Sequence, residues 1–162
     1  MDDSARQGAP AEETRPTRRA FLFLVNPKLH YDPYPDWAKW LPIVDGGGAI
    51  DMQWNTGSRR SGMEPGDLAL LVKVGVAPRG LVALGKVTST IYEGPHWNPD
   101  AARPVTGWVD IRLTALLDLD DPLPLSVLKE IGPGIRWTPR MSGVEVPIDV
   151  GEEVRGLVVA DV

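Results

Sequence analysis

Glycine and proline constrain the fold of this chain more than any other feature of its sequence. The 162 residues include 17 glycines and 16 prolines, about one residue in five. Proline interrupts the hydrogen bonds of a helix or a central strand, and glycine weakens the interior of both. The chain therefore does not suit a bundle of long helices, and we expect short strands joined by many turns.

The composition excludes several classes of protein and site. The chain has no cysteine, which rules out disulfides, cysteine-based zinc sites and thiol catalysis, and its two histidines are His30 and His96. Hydrophobic residues make up 43% and charged residues 24%, as in a globular domain. No apolar run approaches the roughly 18 residues that span a bilayer, and the polar start lacks the pattern of a signal peptide. We expect a cytoplasmic protein with no membrane partner.

The hydrophobic pattern predicts one domain behind a tail. Residues 1–19 show no hydrophobic period and are rich in Ala, Pro, Arg and Glu, which predicts a disordered tail before a domain at 20–162. Apolar runs at 20–25 and 68–74 indicate buried strands. Further strands are predicted at 81–91 and 108–113, and short helices at 36–41, 126–131 with Ser126 as N-cap, and 149–158 with Asp149 as N-cap. This predicts an α+β fold with a small, curved or closed sheet and short helices at its ends.

The charge is distributed unevenly along the chain. Its net value of −5 comes from residues 110–162, which hold ten acidic and five basic residues. Such a chain is not suited to binding nucleic acid by charge neutralisation alone, although it can still grip a single nucleotide. Residues 59–103 hold six basic and four acidic residues, so we expect any phosphate-facing surface there.

No motif of a catalytic or metal site is present. The chain lacks the GxSxG, HExxH, Walker-type and GxGxxG patterns. The acidic residues Asp118, Asp120 and Asp121 are followed by proline and lack a closing glutamate, which favours a solvated turn over a cation site. His96 has no neighbouring Ser or Cys nucleophile. We therefore expect a protein that is not an enzyme and that uses no metal and no cofactor.

Six tryptophans are many for a chain of this length. Trp54 and Trp97 stand in stretches rich in Gly, Asn and Pro that are predicted to be loops. Two interpretations stay open for each: an aromatic that pins its loop, or one wall of a cage for a flat ligand. The other four, which we expect to pack in the core or under a lid, are Trp37, Trp40, Trp108 and Trp137.

The order and spacing of several short motifs resemble EVE domains of the PUA-like superfamily. The resemblance is strongest to EVE-type modules fused to HNH nucleases in modification-dependent restriction enzymes. It covers roughly residues 20–160 and rests on the order of its segments rather than on any one motif. The segments are 24–27 (LVNP), 54–60 (WNTGSRR), 65–67 (PGD) with 70–73 (LLVK), 78–85 (PRGLVALG), 95–97 (PHW) and 137–144 (WTPRMSGV).

The resemblance implies a PUA-like barrel whose pocket accepts a modified base, methylated or hydroxymethylated, flipped out of DNA or RNA. Two stacking faces and a few polar groups are what such a base requires. The base-binding candidates are Asn26, Trp54, Thr56, Gly57, Ser58 and Trp97. The candidates for phosphate contacts, with ordinary solvated surface as the alternative, are Arg59, Arg60 and Lys73.

The chain departs from this family at two points of the expected pocket. Val25 precedes Asn26 where relatives carry a tryptophan, and Asn55 and Thr56 replace a Ser-Cys pair. Base preference therefore does not transfer from the relatives. Any nuclease activity is expected from a separate domain or a partner protein. The alternative function is a small-molecule module on the same barrel, binding a nucleotide or an aromatic metabolite.

Overall fold

The computed structural model describes residues 18–29 and 31–160. In these residues it contains eight strands and three helices. None of the described helices is both long and apolar enough to cross a bilayer. The strands are β1 (Ala20–Val25), β2 (Ile50–Asn55), β3 (Leu68–Lys73), β4 (Gly80–Val87), β5 (Tyr92–Pro95), β6 (Val105–Leu116), β7 (Leu123–Pro124) and β8 (Val144–Val146). The helices are α1 (Tyr34–Asp45), α2 (Leu125–Ile131) and α3 (Ile148–Ala160).

All eight described strands form one curved sheet. The order is β2-β6-β4-β3-β1-β8, with β5 beside β6 and β7 beside β4. Strands β1 and β3 run parallel, and the other pairs are antiparallel. The register shifts between Leu71 and Val72 on β3 and between Leu84 and Gly85 on β4. Such bulges add local twist, which helps the sheet to curve.

The central strands are buried on both faces. On β1, Phe21 and Phe23 face one hydrophobic cluster and Leu22 faces the other. Helix α1 packs on the first cluster, and helices α2 and α3 pack on the second. A strand covered on both sides has a continuous apolar sequence rather than an alternating one. The strands predicted from the apolar runs at 20–25 and 68–74 are thus confirmed.

Loops bring the two edges of the sheet together. Gly143 donates its N–H to Leu22 O (2.7 Å), and its own carbonyl accepts Arg59 Nε–H (2.6 Å). Gly57, which follows edge strand β2, packs against the backbone of Ser142, which precedes edge strand β8. The sheet therefore curves until its two edges come close. In the described residues β2 and β8 do not pair, so the sheet does not close through hydrogen-bonded strands. The predicted α+β class with a small curved sheet and short helices is confirmed.

All three described helices differ from their predicted limits. Helix α1 extends through Pro42 to Asp45, because buried Trp37 and Val44 hold it against the core.

The two predicted N-caps are wrong. At α2 the N-cap position is taken by Pro124, without a side-chain cap, and Ser126 lies within the helix. Helix α3 begins at Ile148, so Asp149 lies in its first turn rather than at its N-cap.

Strand β2 is not among the predicted strands, because the polar pattern at residues 53–55 indicates a loop. Ile50, Met52 and Trp54 point inward, while Asp51 and Gln53 are exposed. This alternation is typical of a strand with one wet face. Trp54 therefore stands on a strand and not on a loop.

The start of the domain lies slightly before residue 20. Arg19 donates its N–H to Asp67 Oδ1 (3.0 Å), and its carbonyl accepts Leu68 N–H (2.8 Å). Arg18 forms an ion pair with Glu152. Both arginines thus contact the domain, and the rest of the disordered tail predicted at 1–19 lies outside the described residues.

Candidate functional site

A large cavity opens between the end of β1, helix α1, strand β2 and the loops beside them. Its volume is about 960 Å³, at the upper end of the range for small-molecule sites. Most of its walls are apolar and aromatic, with a few polar groups between the rings. We call it the aromatic cavity, after the rings of Tyr31, Trp40, Trp54, Trp97 and Trp108 that line it.

Trp54 is a fixed part of this wall. Its Nε1–H donates to Leu24 O at the end of β1 (3.2 Å), and its ring meets Tyr31 edge-on with centroids 5.6 Å apart. The side chain is half-buried, so it is held by these contacts while it still lines the cavity. An indole held in this way needs little reordering before a flat ligand stacks on it.

A carboxylate lies among the rings. Tyr31 donates its hydroxyl to Asp36 Oδ2 (2.6 Å), and both residues line the cavity. Burial, and then this hydrogen bond, raise the pKa of Tyr31 well above its ordinary value, so the phenol remains a donor. Asp36 and Trp40 are four residues apart on α1 and therefore share one face of the helix. The site combines stacking surfaces with a half-buried acceptor.

The predicted base-binding residues divide into two groups. Four of them line the cavity: Asn26, Trp54, Gly57 and Trp97. Thr56 is fully buried, and its hydroxyl donates to Arg59 O (2.9 Å), so it stabilises the loop rather than facing a ligand. Ser58 is exposed and borders a neighbouring groove instead. The structure thus corrects the expected positions of Thr56 and Ser58.

The polar groups that line the cavity are not equally available. Asn26 Oδ1 already accepts Lys28 N–H (3.0 Å). Asn55 donates from Nδ2 to Thr106 Oγ1 (3.0 Å), and its Oδ1 accepts Gly57 N–H (2.8 Å). These amides therefore shape the loops, and Asp36 is the strongest acceptor left to face a ligand.

The predicted phosphate contacts also divide. Arg60 is exposed beside the neighbouring groove, with one hydrogen bond to Gly57 O (3.3 Å). Arg59 already donates a hydrogen bond to Gly143 O. Its guanidinium lies over the ring of Phe21, with the guanidinium carbon 5.0 Å from the ring centroid. Lys73 is 0% exposed, and its Nζ donates to Leu119 O (2.6 Å). A phosphate at the surface cannot reach Lys73, so that assignment is wrong.

The burial of Lys73 gives a direct prediction. Lys73→Met keeps the length of the side chain and removes its charge, and we expect it to leave oligonucleotide affinity unchanged. Stability should change by no more than about 2 kcal/mol, because the loss of a buried charge offsets the unpaired Leu119 carbonyl. Binding titration and urea unfolding measure the two effects, with exposed Lys86→Met as control. A selective loss of binding would restore Lys73 as a ligand contact.

Trp97, the other tryptophan among the base-binding candidates, lies in a loop on the open side of the cavity. Trp97 is 40% exposed, and its ring lies against His96 with centroids 5.2 Å apart. His96 Nδ1 accepts Asn98 N–H (3.0 Å), which leaves Nε2 as the nitrogen free to carry a proton in the neutral ring. Behind this loop, Trp108 donates Nε1–H to Pro95 O (2.9 Å).

Several lining residues are not candidates from the sequence. Trp40 and Trp108 are predicted to pack in the core or under a lid. Trp40 does pack against the first hydrophobic cluster, and both rings also line the cavity. Tyr31 and Asp36 carried no motif. The i, i+4 spacing of Asp36 and Trp40, and the alternation that brings Met52 beside Trp54, were the available signals. In the described residues, no group of three or more His, Cys, Asp or Glu side chains could hold a metal ion.

Comparison with known proteins identifies the fold. No protein-family model matches the chain, and no curated protein sequence matches it significantly. A YTH domain solved in a complex with RNA, that of Mmi1, superposes with a TM-score of 0.51 at 12% identity, covering 88% of this chain and 79% of that one. The fold is similar to that of a YTH domain.

Two further structures have the same architecture. A hypothetical protein from Leishmania major superposes with a TM-score of 0.59 at 19% identity, covering 88% of this chain and 94% of that one. A structural-genomics protein from Pseudomonas syringae gives 0.51 at 15% identity, covering 86% and 98%. At these identities the similarity extends to the fold, which agrees with the curved PUA-like sheet expected from the sequence.

Proposed function

We propose that this chain is a non-catalytic reader of modified nucleobases. In this proposal an EVE-type module holds a methylated or hydroxymethylated base, flipped out of DNA or RNA, in the aromatic cavity. The supporting observation is that half-buried Trp54 lines the cavity and is held there by a hydrogen bond to Leu24 O and a T-shaped contact with Tyr31. The similarity in fold to a YTH domain solved in a complex with RNA also supports this proposal. Cleavage of the bound strand would require a separate nuclease domain or partner protein.

Stacking supplies affinity in this proposal but little selectivity. Each base–aromatic stack contributes about 1–3 kcal/mol, whichever base is present. Burying one additional methyl group contributes about 0.8 kcal/mol, roughly a fourfold change in affinity. A hydrogen bond to a charged group contributes about 1.5–3 kcal/mol, so polar groups must make most of the distinction between bases.

Asp36 is the polar group best placed to read the edge of a base. Tyr31 occupies one of its oxygens, and a carboxylate offers further acceptor sites. An acceptor favours a base edge that carries an amino group, and it repels one that carries a keto oxygen. The proposed ligand is therefore a modified base with an exocyclic amino group.

Titration of short single-stranded oligonucleotides tests the reader function. Oligonucleotides that contain a methylated, a hydroxymethylated or a plain base are compared in DNA and in RNA form. We expect at least one modified form to bind more tightly than its plain counterpart. Equal affinity for all of them would refute the reader function.

Removal of the Asp36 carboxylate should relax the choice of base. 5-Methylcytosine and thymine share a methyl group and differ in the amino or keto group at position 4, so their affinity ratio reports the acceptor. We expect Asp36→Ala to reduce the preference for 5-methylcytosine by about tenfold, the effect of one charged hydrogen bond. Asp45→Ala removes an exposed acid from the same helix and should leave the ratio unchanged. An unaltered ratio in Asp36→Ala would exclude this residue as the reading group.

A small-molecule module remains the second candidate, because the cavity is larger than one base requires. A volume of about 960 Å³ accommodates a whole nucleotide or an aromatic metabolite. The net charge of −5 also disfavours non-specific binding to a polynucleotide. Salt dependence separates the candidates: polynucleotide binding weakens steeply as salt rises, whereas binding of an uncharged metabolite does not.

A further inference from the structure

A groove rich in arginine adjoins the aromatic cavity. It has a volume of about 700 Å³ and shares one wall with the cavity, formed by residues 139–142. The loop after β2 forms the opposite side through residues 58–61. We call it the arginine groove, after Arg59, Arg60, Arg136 and Arg140, which line it.

Three of these arginines are available to a ligand. Arg60, Arg136 and Arg140 are exposed, and within residues 18–29 and 31–160 no carboxylate forms an ion pair with them. The acidic residue in the lining is Glu145, and it lies 3.8 Å from Arg19 Nε. The groove is therefore locally positive in a chain whose net charge is −5.

We propose that the arginine groove holds the sugar–phosphate backbone of a single strand whose modified base occupies the aromatic cavity. This inference rests on the proposed function and extends it from one base to the neighbouring nucleotides. The shared wall at 139–142 makes the two sites continuous, so one strand can occupy both. Guanidinium groups bind phosphate oxygens through paired hydrogen bonds, and their positive charge displaces the counterions of the strand.

The test compares a single-stranded nonamer containing the modified base with the corresponding free nucleoside. The double variant Arg60→Gln/Arg136→Gln removes two charges from the groove at positions that do not line the aromatic cavity. We expect it to lower nonamer affinity about tenfold at low salt, since an exposed charge pair contributes up to about fivefold. The slope of log affinity against log salt concentration should become smaller in magnitude by about 1.4, because two phosphate contacts are removed and each contributes about 0.7 in a single strand. Nucleoside affinity should not change.

Lys86→Gln/Lys129→Gln is the matched control, because it removes the same charge from exposed positions that do not line the groove. If the groove variant binds the nonamer with wild-type affinity and slope, or loses no more than the control, the inference is overturned. It is also overturned if a polyglutamate peptide displaces the nonamer and its own binding is lost in the groove variant, since the groove would then serve an acidic protein.

Failure of the reader function gives a different result. In that case plain and modified nonamers bind equally to the wild type, and the nucleoside does not bind. A groove variant that still loses nonamer affinity supports the groove as a nucleic-acid surface even then. The difference in affinity between plain and modified nonamers therefore tests the cavity, whereas the salt dependence of nonamer affinity tests the groove.

Discussion

Replacement of Trp54 by alanine is expected to lower the affinity for a modified oligonucleotide by about ten- to a hundredfold. The indole is the half-buried ring that Leu24 O and Tyr31 hold at the cavity wall. Its removal takes away a stacking surface worth about 1–3 kcal/mol and leaves Tyr31 without its edge contact. Fluorescence anisotropy with a labelled oligonucleotide measures the loss.

Two companion variants separate stacking from folding. Trp54→Phe keeps an aromatic face but cannot donate to Leu24 O, so we expect it to recover part of the affinity. Trp97→Ala alters a ring that is 40% exposed on the open side of the cavity, and its effect should be smaller. Thermal unfolding shows whether each variant is folded. If folded Trp54→Ala binds as tightly as the wild type, the cavity is not the base-binding site.

Gly143→Ala is expected to lower the free energy of unfolding by about 2–5 kcal/mol. Gly143 has φ +90°, and an added Cβ would lie 2.4 Å from Thr56 O. A left-handed conformation costs an L-residue about 1–2 kcal/mol, and overpacking adds about 1–3 kcal/mol. The substitution acts where the loop after β2 meets the segment before β8, so it should also disturb the wall that the cavity shares with the arginine groove. Urea unfolding measures the loss.

Two other glycines separate the backbone cost from the clash. Gly66 has φ +99° with nothing within 4 Å of an added Cβ, so Gly66→Ala should show the backbone cost alone, about 1–2 kcal/mol. Gly134 has open space and no positive φ, so Gly134→Ala should have little effect. If Gly143→Ala is no more destabilising than Gly66→Ala, the loop contact contributes little to stability.

The candidate site was only partly predictable from local sequence. The polar surroundings of Trp54 and Trp97 and the family resemblance at Asn26 identify three candidates, and all three line the cavity. Their roles in binding stay predictions. Lys73 was misplaced because an apolar strand ending in lysine resembles a strand that reaches the surface, whereas this lysine is buried and donates to Leu119 O. Asp36 was missed because a lone acid near a helix start is usually solvated.

The buried strands, the turns between them and the apolar faces of the helices can be predicted from the order of residues alone. These features depend on residues close together in the chain, and their periodicity indicates which sides are covered. The polar groups that meet in the site cannot be predicted in this way, because they depend on how distant segments pack. Asp36 and Trp54 line one cavity because α1 packs against the sheet beside β2, and Arg60 and Arg140 line one groove because loops join the two sheet edges. Each pair comes from segments that are separated in the chain, and curvature of the sheet rather than local pattern brings them to one site.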